Sequence, residues 1–451
     1  MASRESRFEN LPTCSFLSGV ARLRHSEFVA NVSVLAAGAV LSQAVVLIAS
    51  PFLTRLYTPE DFGIFGLFSA FWGVSGVLVS LRLETAIPSP VHDSEAALLS
   101  FLAILSAIPL SIVAVILLFV LIRWEILGFG ALPLATVPFA FLGILSFGVF
   151  SSLRYWFIRV EEFRSLSHIA VWQSLVRTIG TVGLGFLGMK WLGLVTGDLL
   201  GRVAGLTKMI RQSWPDLRKN TRGLRWSAYR EVFLRHKDFP RLVLPSSLID
   251  VLACALPLPI LACAYGTEVA GYFALSHRII SVPSGTIGQA VADAFHSRMG
   301  EAARSGSVDS SEQLKRVSKY LLLIGLGPSL LLMAFGPFLF GLFFGPSWKA
   351  AGKIAALTAP WALAQFVVSP VSRAVFVFGG QSQKLVYDST AVISTVLSLY
   401  GAWVMGLSYT SAIALLSSTQ FCAYGLYFVL LLRIVRNPKK GEPCADLRAW
   451  F

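Results

Sequence analysis

Basic side chains fall inside long apolar runs of this chain, among them Arg177, Arg202, Lys208, Arg278 and Arg373. An ionised group near the middle of a bilayer costs about 2.5–3.5 kcal/mol on insertion scales, so each needs a cavity, a partner or a task. Lys208 and Arg373 sit near the ends of their runs, where a long stem lets the charge reach the interface. Arg177, Arg202 and Arg278 lie deep. A planar guanidinium stays charged in a low-dielectric cavity and donates paired hydrogen bonds to phosphate-like oxygens, which makes these three arginines candidates for a chamber that binds an anion. Asp198, four positions before Arg202, shares its helix face and is expected to neutralise part of that charge. Arg177 and Arg278 have no acid within helical reach.

Further acids inside or at the edge of the runs include Asp250, Asp293 and Asp388. A carboxylate shielded from water can bind and release a proton, and Asp250, which follows the polar pair Ser246–Ser247, is the ion-coupling candidate. Its alternative role is a structural carboxylate paired with an arginine. Asp388 is placed to pair with Arg373. Arg82 and Glu84 lie at the end of another run, in "RLETAIP". Two positions apart they do not face each other on a helix, so each is expected to touch a different neighbour, as an interfacial anchor or as the latch of a gate.

Enzyme signatures are missing. The chain has no Gly-x4-Gly-Lys-Ser/Thr, no HExxH and no Cys/His cluster, which excludes a P-loop ATPase and leaves no cofactor or metal to expect. Cys14, Cys254, Cys263, Cys422 and Cys444 have no framework spacing and read as unpaired thiols.

What must position these side chains is a bundle of membrane helices. Of 451 residues 55% are apolar and only 14% charged, far from the roughly one quarter charged of a soluble domain. Twelve runs of about 20 residues, enough for a helix to cross about 30 Å of hydrocarbon, lie near 28–53, 61–81, 96–122, 130–153, 167–187, 191–210, 241–264, 268–290, 314–343, 351–377, 384–405 and 410–434. The net charge of +14 is distributed by side, and that argues against nucleic acid as a partner. Alternate connections, with both termini, hold about 28 of the 38 Lys and Arg, and the opposite set holds Arg55, Arg123, Lys190, Lys349 and Lys353. This positive-inside bias predicts cytoplasmic termini and a basic cytoplasmic loop beside anionic lipid headgroups. The expected divisions are a tail at 1–27, a first lobe at 28–210, a basic linker at 211–240, a second lobe at 241–434 and a tail at 435–451.

Two stretches repeat each other, "LTRLYTPEDFGIFGL" at 53–67 and "LACAYGTEVAGYFAL" at 261–275, 208 positions apart. Six runs precede the linker and six follow it, so both halves begin on the same side and the repeat is parallel, about an axis along the membrane normal with a shared cavity between lobes. Each copy falls in the turn between the first two runs of its half. Thr58-Pro59-Glu60-Asp61 is a helix start, with a capping hydroxyl, proline in the first turn and acids at the positive helix end.

The stretches "LTRLYTPEDFGIFGLF", "LRLETAIPSP", "FRSLSHIAVWQS", "GLVTGDLLGR", "DFPRLVLPSSLID" and "GYFALSHRIISVPSGTIGQAVADAF", in this order over roughly 28–435, resemble the polysaccharide-transporter branch of the multidrug/oligosaccharidyl-lipid/polysaccharide exporter superfamily. The resemblance implies an all-α integral membrane protein of about twelve spans, two MATE-like six-helix bundles around a central cavity. It implies a flippase that carries a polyprenyl-diphosphate-linked sugar repeat unit across a bacterial inner membrane for O-antigen, capsule or exopolysaccharide assembly. Its partners would then be the lipid-linked oligosaccharide, membrane lipids and other polysaccharide-assembly membrane proteins. On that reading Arg177, Arg202 and Arg278 bind the diphosphate. The alternatives are an ion-coupled drug or metabolite exporter of the same superfamily and a membrane polymerase; a cationic-drug exporter would carry an acidic chamber, and a polymerase a large extracytoplasmic loop.

Overall fold

The computed structural model describes residues 13–221, 226–282, 284–289, 291–292, 295, 298–299, 310–378 and 380–436, with side chains from residue 33 onward except at Trp226, Phe376, Gln381 and Ser382. Arg222, Arg225, Asp293, His296 and Cys444 lie outside these residues, as do 1–12 and 437–451 of the two tails.

The first half consists of α1 (Thr13–Leu56), α2 (Pro59–Val79), α3 (Asp93–Arg123), α4 (Thr136–Arg159), α5 (Phe163–Phe186) and α6 (Lys190–Thr221). A short α7 (Trp226–Arg235) leads into the second half. That half has α8 (Leu244–Ala255) and α9 (Pro257–Tyr265), then α10 (Thr267–Ile280), α11 (Ser310–Phe344), α12 (Lys349–Val368), α13 (Gln381–Val404) and α14 (Tyr409–Arg436). With α8 and α9 stacked as a single span, all twelve expected runs are helical. Nine helical segments among the described residues are long and apolar enough to cross a membrane on composition alone. The other three, α5, α6 and α10, carry Arg177, Asp198 with Arg202, and Arg278.

Local chemistry sets the repeated turn. Thr58 caps α2 in a reciprocal box: its hydroxyl accepts from the Asp61 amide at 3.2 Å, and the Asp61 carboxylate accepts from the Thr58 amide at 3.0 Å. The second copy replaces this cap with Gly266 at φ 91°. Both tyrosines tie their turn to the end of the fifth span of their own half. The Tyr57 hydroxyl donates to the Thr181 carbonyl at 2.7 Å, and that of Tyr265 to the Leu407 carbonyl at 3.1 Å. Pro51 and Pro259 also stand 208 positions apart, which extends the repeat two residues further back.

The halves meet along α2 and α10, and the two copies meet each other there. A Cβ on Gly63 would collide with the Thr267 carbonyl, and one on Gly271 with the Pro59 carbonyl. Thr267 and Pro59 are themselves 208 positions apart, so the contact is reciprocal about a twofold. Two further contacts follow the same symmetry. Gly128, after the third helix of the first half, approaches the Cys263 amide at the end of α9, and Trp348, after the third helix of the second half, donates its indole N–H to the Thr54 carbonyl at 2.9 Å. Apolar cores around Ile64–Ala270 and Leu53–Ala355 draw on both halves at this end of the bundle. At the opposite end one core uses residues 35–239 and another 295–435, so there each half packs on itself.

The described residues of the basic linker are largely helical where the sequence suggested a loop. α6 continues to Thr221 because Met209, Ser213 and Leu217 form a buried i, i+4 stripe, and α7 packs on α3 through Val232. Glu95 on α3 fastens α7 by accepting from Arg235 at 3.1 Å and contacting His236 at 3.2 Å. Likewise α1 begins at Thr13, inside the segment expected to be a tail.

Candidate functional site

Helix α6 carries glycine at every fourth position, Gly197, Gly201 and Gly205, and α5 packs directly on this stripe. A Cβ on Gly201 would sit 2.6 Å from the Cβ of Arg177. Small residues at this spacing let membrane helices approach backbone to backbone. The close approach brings Arg177 to Asp198: Arg177 Nη1 donates to Asp198 Oδ1 at 3.3 Å, and Arg202 Nε to Asp198 Oδ2 at 2.7 Å. The helical pair Asp198–Arg202 is the one its four-residue spacing indicates. The second arginine on the same carboxylate corrects the expectation that Arg177 lacks an acid, because its acid comes from the neighbouring helix.

These side chains line a cavity of about 180 Å³ between α1, α4, α5 and α6, with Ser42, Gln43, Ser146, Gln173 and Ser174 as its neutral polar groups. The Arg202 guanidinium also lies 3.5 Å over the Trp72 ring, a cation–π contact that holds it in place without using its terminal nitrogens. Arg278, on α10 of the other half, is within electrostatic range of Arg177 and Asp198. Among the described residues no carboxylate lies within 4.0 Å of Arg278. Two guanidinium groups therefore share one carboxylate at the cavity, and Arg278 of the other half adds a third positive charge within electrostatic range.

Asp250 stands elsewhere. Its side chain is 47% exposed rather than sequestered, and it accepts from Lys384 Nζ at 2.9 Å. The same ammonium reaches Asp388 Oδ2 at 2.5 Å, so Lys384, not Arg373, is the partner of Asp388. Lys384 is a residue that the survey of charges inside the runs missed. The signal was available, because Lys384 and Asp388 are four apart at the start of one run. Tyr387 stacks on Tyr427 beside this group, with ring centroids 4.1 Å apart.

Arg82 and Glu84 do touch, at 3.6 Å, contrary to the helical-spacing argument. The helix has already ended: Leu81 and Arg82 take φ of 53° and 59°, and a 3-10 turn follows at Leu83–Ala86. Glu84 is only 2% exposed, and Ser80 Oγ, Arg82 Nε and Glu84 Oε2 are buried there without a hydrogen-bond partner among the described residues.

Comparison with solved structures gives the same architecture at low identity, which bears on fold alone. An inward-facing multidrug resistance MATE family transporter of the MOP superfamily superposes with a TM-score of 0.66 at 17% identity, covering 89% of this chain and 96% of that one. A MOP superfamily transporter from Pyrococcus furiosus, described as having a binding pocket of reverse polarity, gives 0.59 at 15%, covering 91% and 96%. The lipid II flippase MurJ in an inward closed conformation gives 0.58 at 13%, covering 90% of each chain. No curated protein matches in sequence. The family model described as polysaccharide biosynthesis protein matches residues 52–353, a stretch that runs from the first repeated turn past the linker to α12 and takes in Arg177, Arg202 and Arg278. The match extends over about two thirds of a multi-pass helical bundle, and the chain belongs to the polysaccharide biosynthesis family.

Proposed function

We propose that this protein flips a polyprenyl-diphosphate-linked oligosaccharide across the bacterial inner membrane by alternating access, for surface polysaccharide biosynthesis. The positive excess at the cavity, where Arg177 and Arg202 share the single carboxylate of Asp198 with Arg278 of the other half within electrostatic range, is the observation that carries this reading. A cavity of about 180 Å³ is smaller than the ~300–1,000 Å³ of pockets that enclose a drug-sized ligand, which suits a charged head whose sugars and lipid tail extend beyond it. The basic linker end faces the cytoplasm on this reading, and the joined hairpin end is the outer gate. Arg177 and Arg202 hold the diphosphate from the first half and Arg278 from the second, so the head bridges the halves that must rock. Asp250, with Lys384 and Asp388, is the ion-responsive group of the second half, and the Arg82–Glu84 pair anchors the inner end of α2.

The drug-exporter reading is weaker on the same observation, because a cationic drug would meet uncompensated arginines. The deciding experiment follows a lipid-linked oligosaccharide across reconstituted vesicles, with and without a proton gradient. Losing one charge-assisted contact of about 1.5–3 kcal/mol should slow Arg278→Ala by roughly ten- to a hundredfold. Arg278→Lys should retain part of the rate. Equal rates for wild type and Arg278→Ala would remove this arginine from the mechanism. Drug efflux without any lipid translocation would replace the reading with the exporter.

A further inference from the structure

Asp198 has no task in the diphosphate reading, yet it is the most constrained side chain in the cavity. Its side chain is 11% exposed and each carboxylate oxygen is held by a different guanidinium. In geometry it presents to Arg177 and Arg202 what a phosphate would: two anionic oxygens facing two donor forks. Cargo and carboxylate therefore compete for the same nitrogens.

The surroundings fix what happens to the loser. The charged groups that face Asp198 are Arg177 from α5, Arg202 from its own helix and Arg278 from α10. Helices α1 and α4 present only neutral groups to the cavity, among them Ser42, Gln43 and Phe147, and α2 presents Trp72 to Arg202. Once a diphosphate draws the arginines to itself, an ionised Asp198 would be left beside two further negative charges, sheltered from water and without a replacement donor. A buried carboxylate in that position neutralises by taking a proton.

Resting on the diphosphate reading, we propose that Asp198 is the resident counter-anion of the arginine chamber, displaced by the cargo headgroup and neutralised by one proton as it is displaced. The proton passes from water at the open side to a carboxylate oxygen of Asp198; no other bond changes. The empty chamber keeps its own anion, and the loaded chamber exchanges that anion for the cargo. Because linkage is reciprocal, acid then favours loading and alkali favours release.

The test uses the full-length protein in nanodiscs and farnesyl-diphosphoryl-N-acetylglucosamine, a diphosphate diester that does not itself titrate between about pH 5.5 and 8.5. Calorimetry in buffers of different ionisation enthalpy counts protons. Wild type should take up about one proton per diester bound, with an affinity that falls up to about tenfold per pH unit as pH rises. Asp198→Asn should bind without proton uptake, independently of pH and at least about tenfold more tightly than wild type at pH 8. Asp198→Glu should restore uptake, and it keeps the test informative if the asparagine variant does not fold. Binding by wild type with no proton uptake and an affinity flat with pH would overturn the role of Asp198 and leave the diphosphate reading standing. No binding by wild type would overturn the diphosphate reading itself.

Discussion

At the scale of single residues, charge and burial give tests that do not depend on the cargo. Burial pushes the Glu84 carboxyl above the ordinary carboxylate range, against the lowering influence of Ser80 and Arg82. The folded protein thus holds this proton more tightly than the unfolded chain. The stability it contributes is present below the unfolded value of about 4.3 and is lost as pH rises through the higher folded one. Glu84→Gln removes that loss. Its thermal midpoint should lie above wild type at pH 7.5 and coincide with it at pH 4; equal midpoints at pH 7.5 would show that Glu84 stays comfortably ionised. How much of this was legible in the sequence varies with distance along the chain. Asp198–Arg202 could be read from a four-residue spacing. Arg177–Asp198 could not, because 21 positions separate them and only the close packing of α5 on Gly201 joins them. Arg82–Glu84 was misjudged because periodicity assumes a helix, and two left-handed residues end it there.

At the scale of elements, the α2–α10 crossing admits no side chain at Gly63 or Gly271. Alanine at either position must push the helices apart, so the arrangement joined at this end loses stability relative to one that opens it. Spin labels at Glu60→Cys and Glu268→Cys should report a longer or broader distance distribution in Gly63→Ala and in Gly271→Ala. An unchanged distribution would mean that the crossing relaxes locally and does not govern opening. The docking of α7 makes a separate prediction. Glu95→Gln removes the carboxylate shared by Arg235 and His236, and trypsin should then cut within Trp226–Arg235 severalfold faster. The existence of all twelve spans was readable from apolar length. The helicity of the linker's described residues was not, since the buried stripe at Met209, Ser213 and Leu217 is interleaved with polar and charged residues such as Arg211, Gln212 and Asp216 and never forms a continuous apolar run.

At the scale of the whole molecule, the side-to-side charge bias predicts a cytoplasmic linker and repeated turns on the opposite face. In a cysteine-free background, Ser347→Cys should react with a membrane-impermeant maleimide in intact cells, and Arg218→Cys only after lysis. The reverse pattern would invert the proposed orientation. The reciprocal seating of each repeated glycine against the other copy's helix start has an evolutionary consequence. A surface that fits its own duplicate is what a twofold homodimer needs, so a free six-helix ancestor could have paired with itself through this patch before fusion made the pairing permanent. Fusion then released the copies from identity, and the descendants specialised: one now holds two of the three arginines with their carboxylate, the other the Lys384 triad.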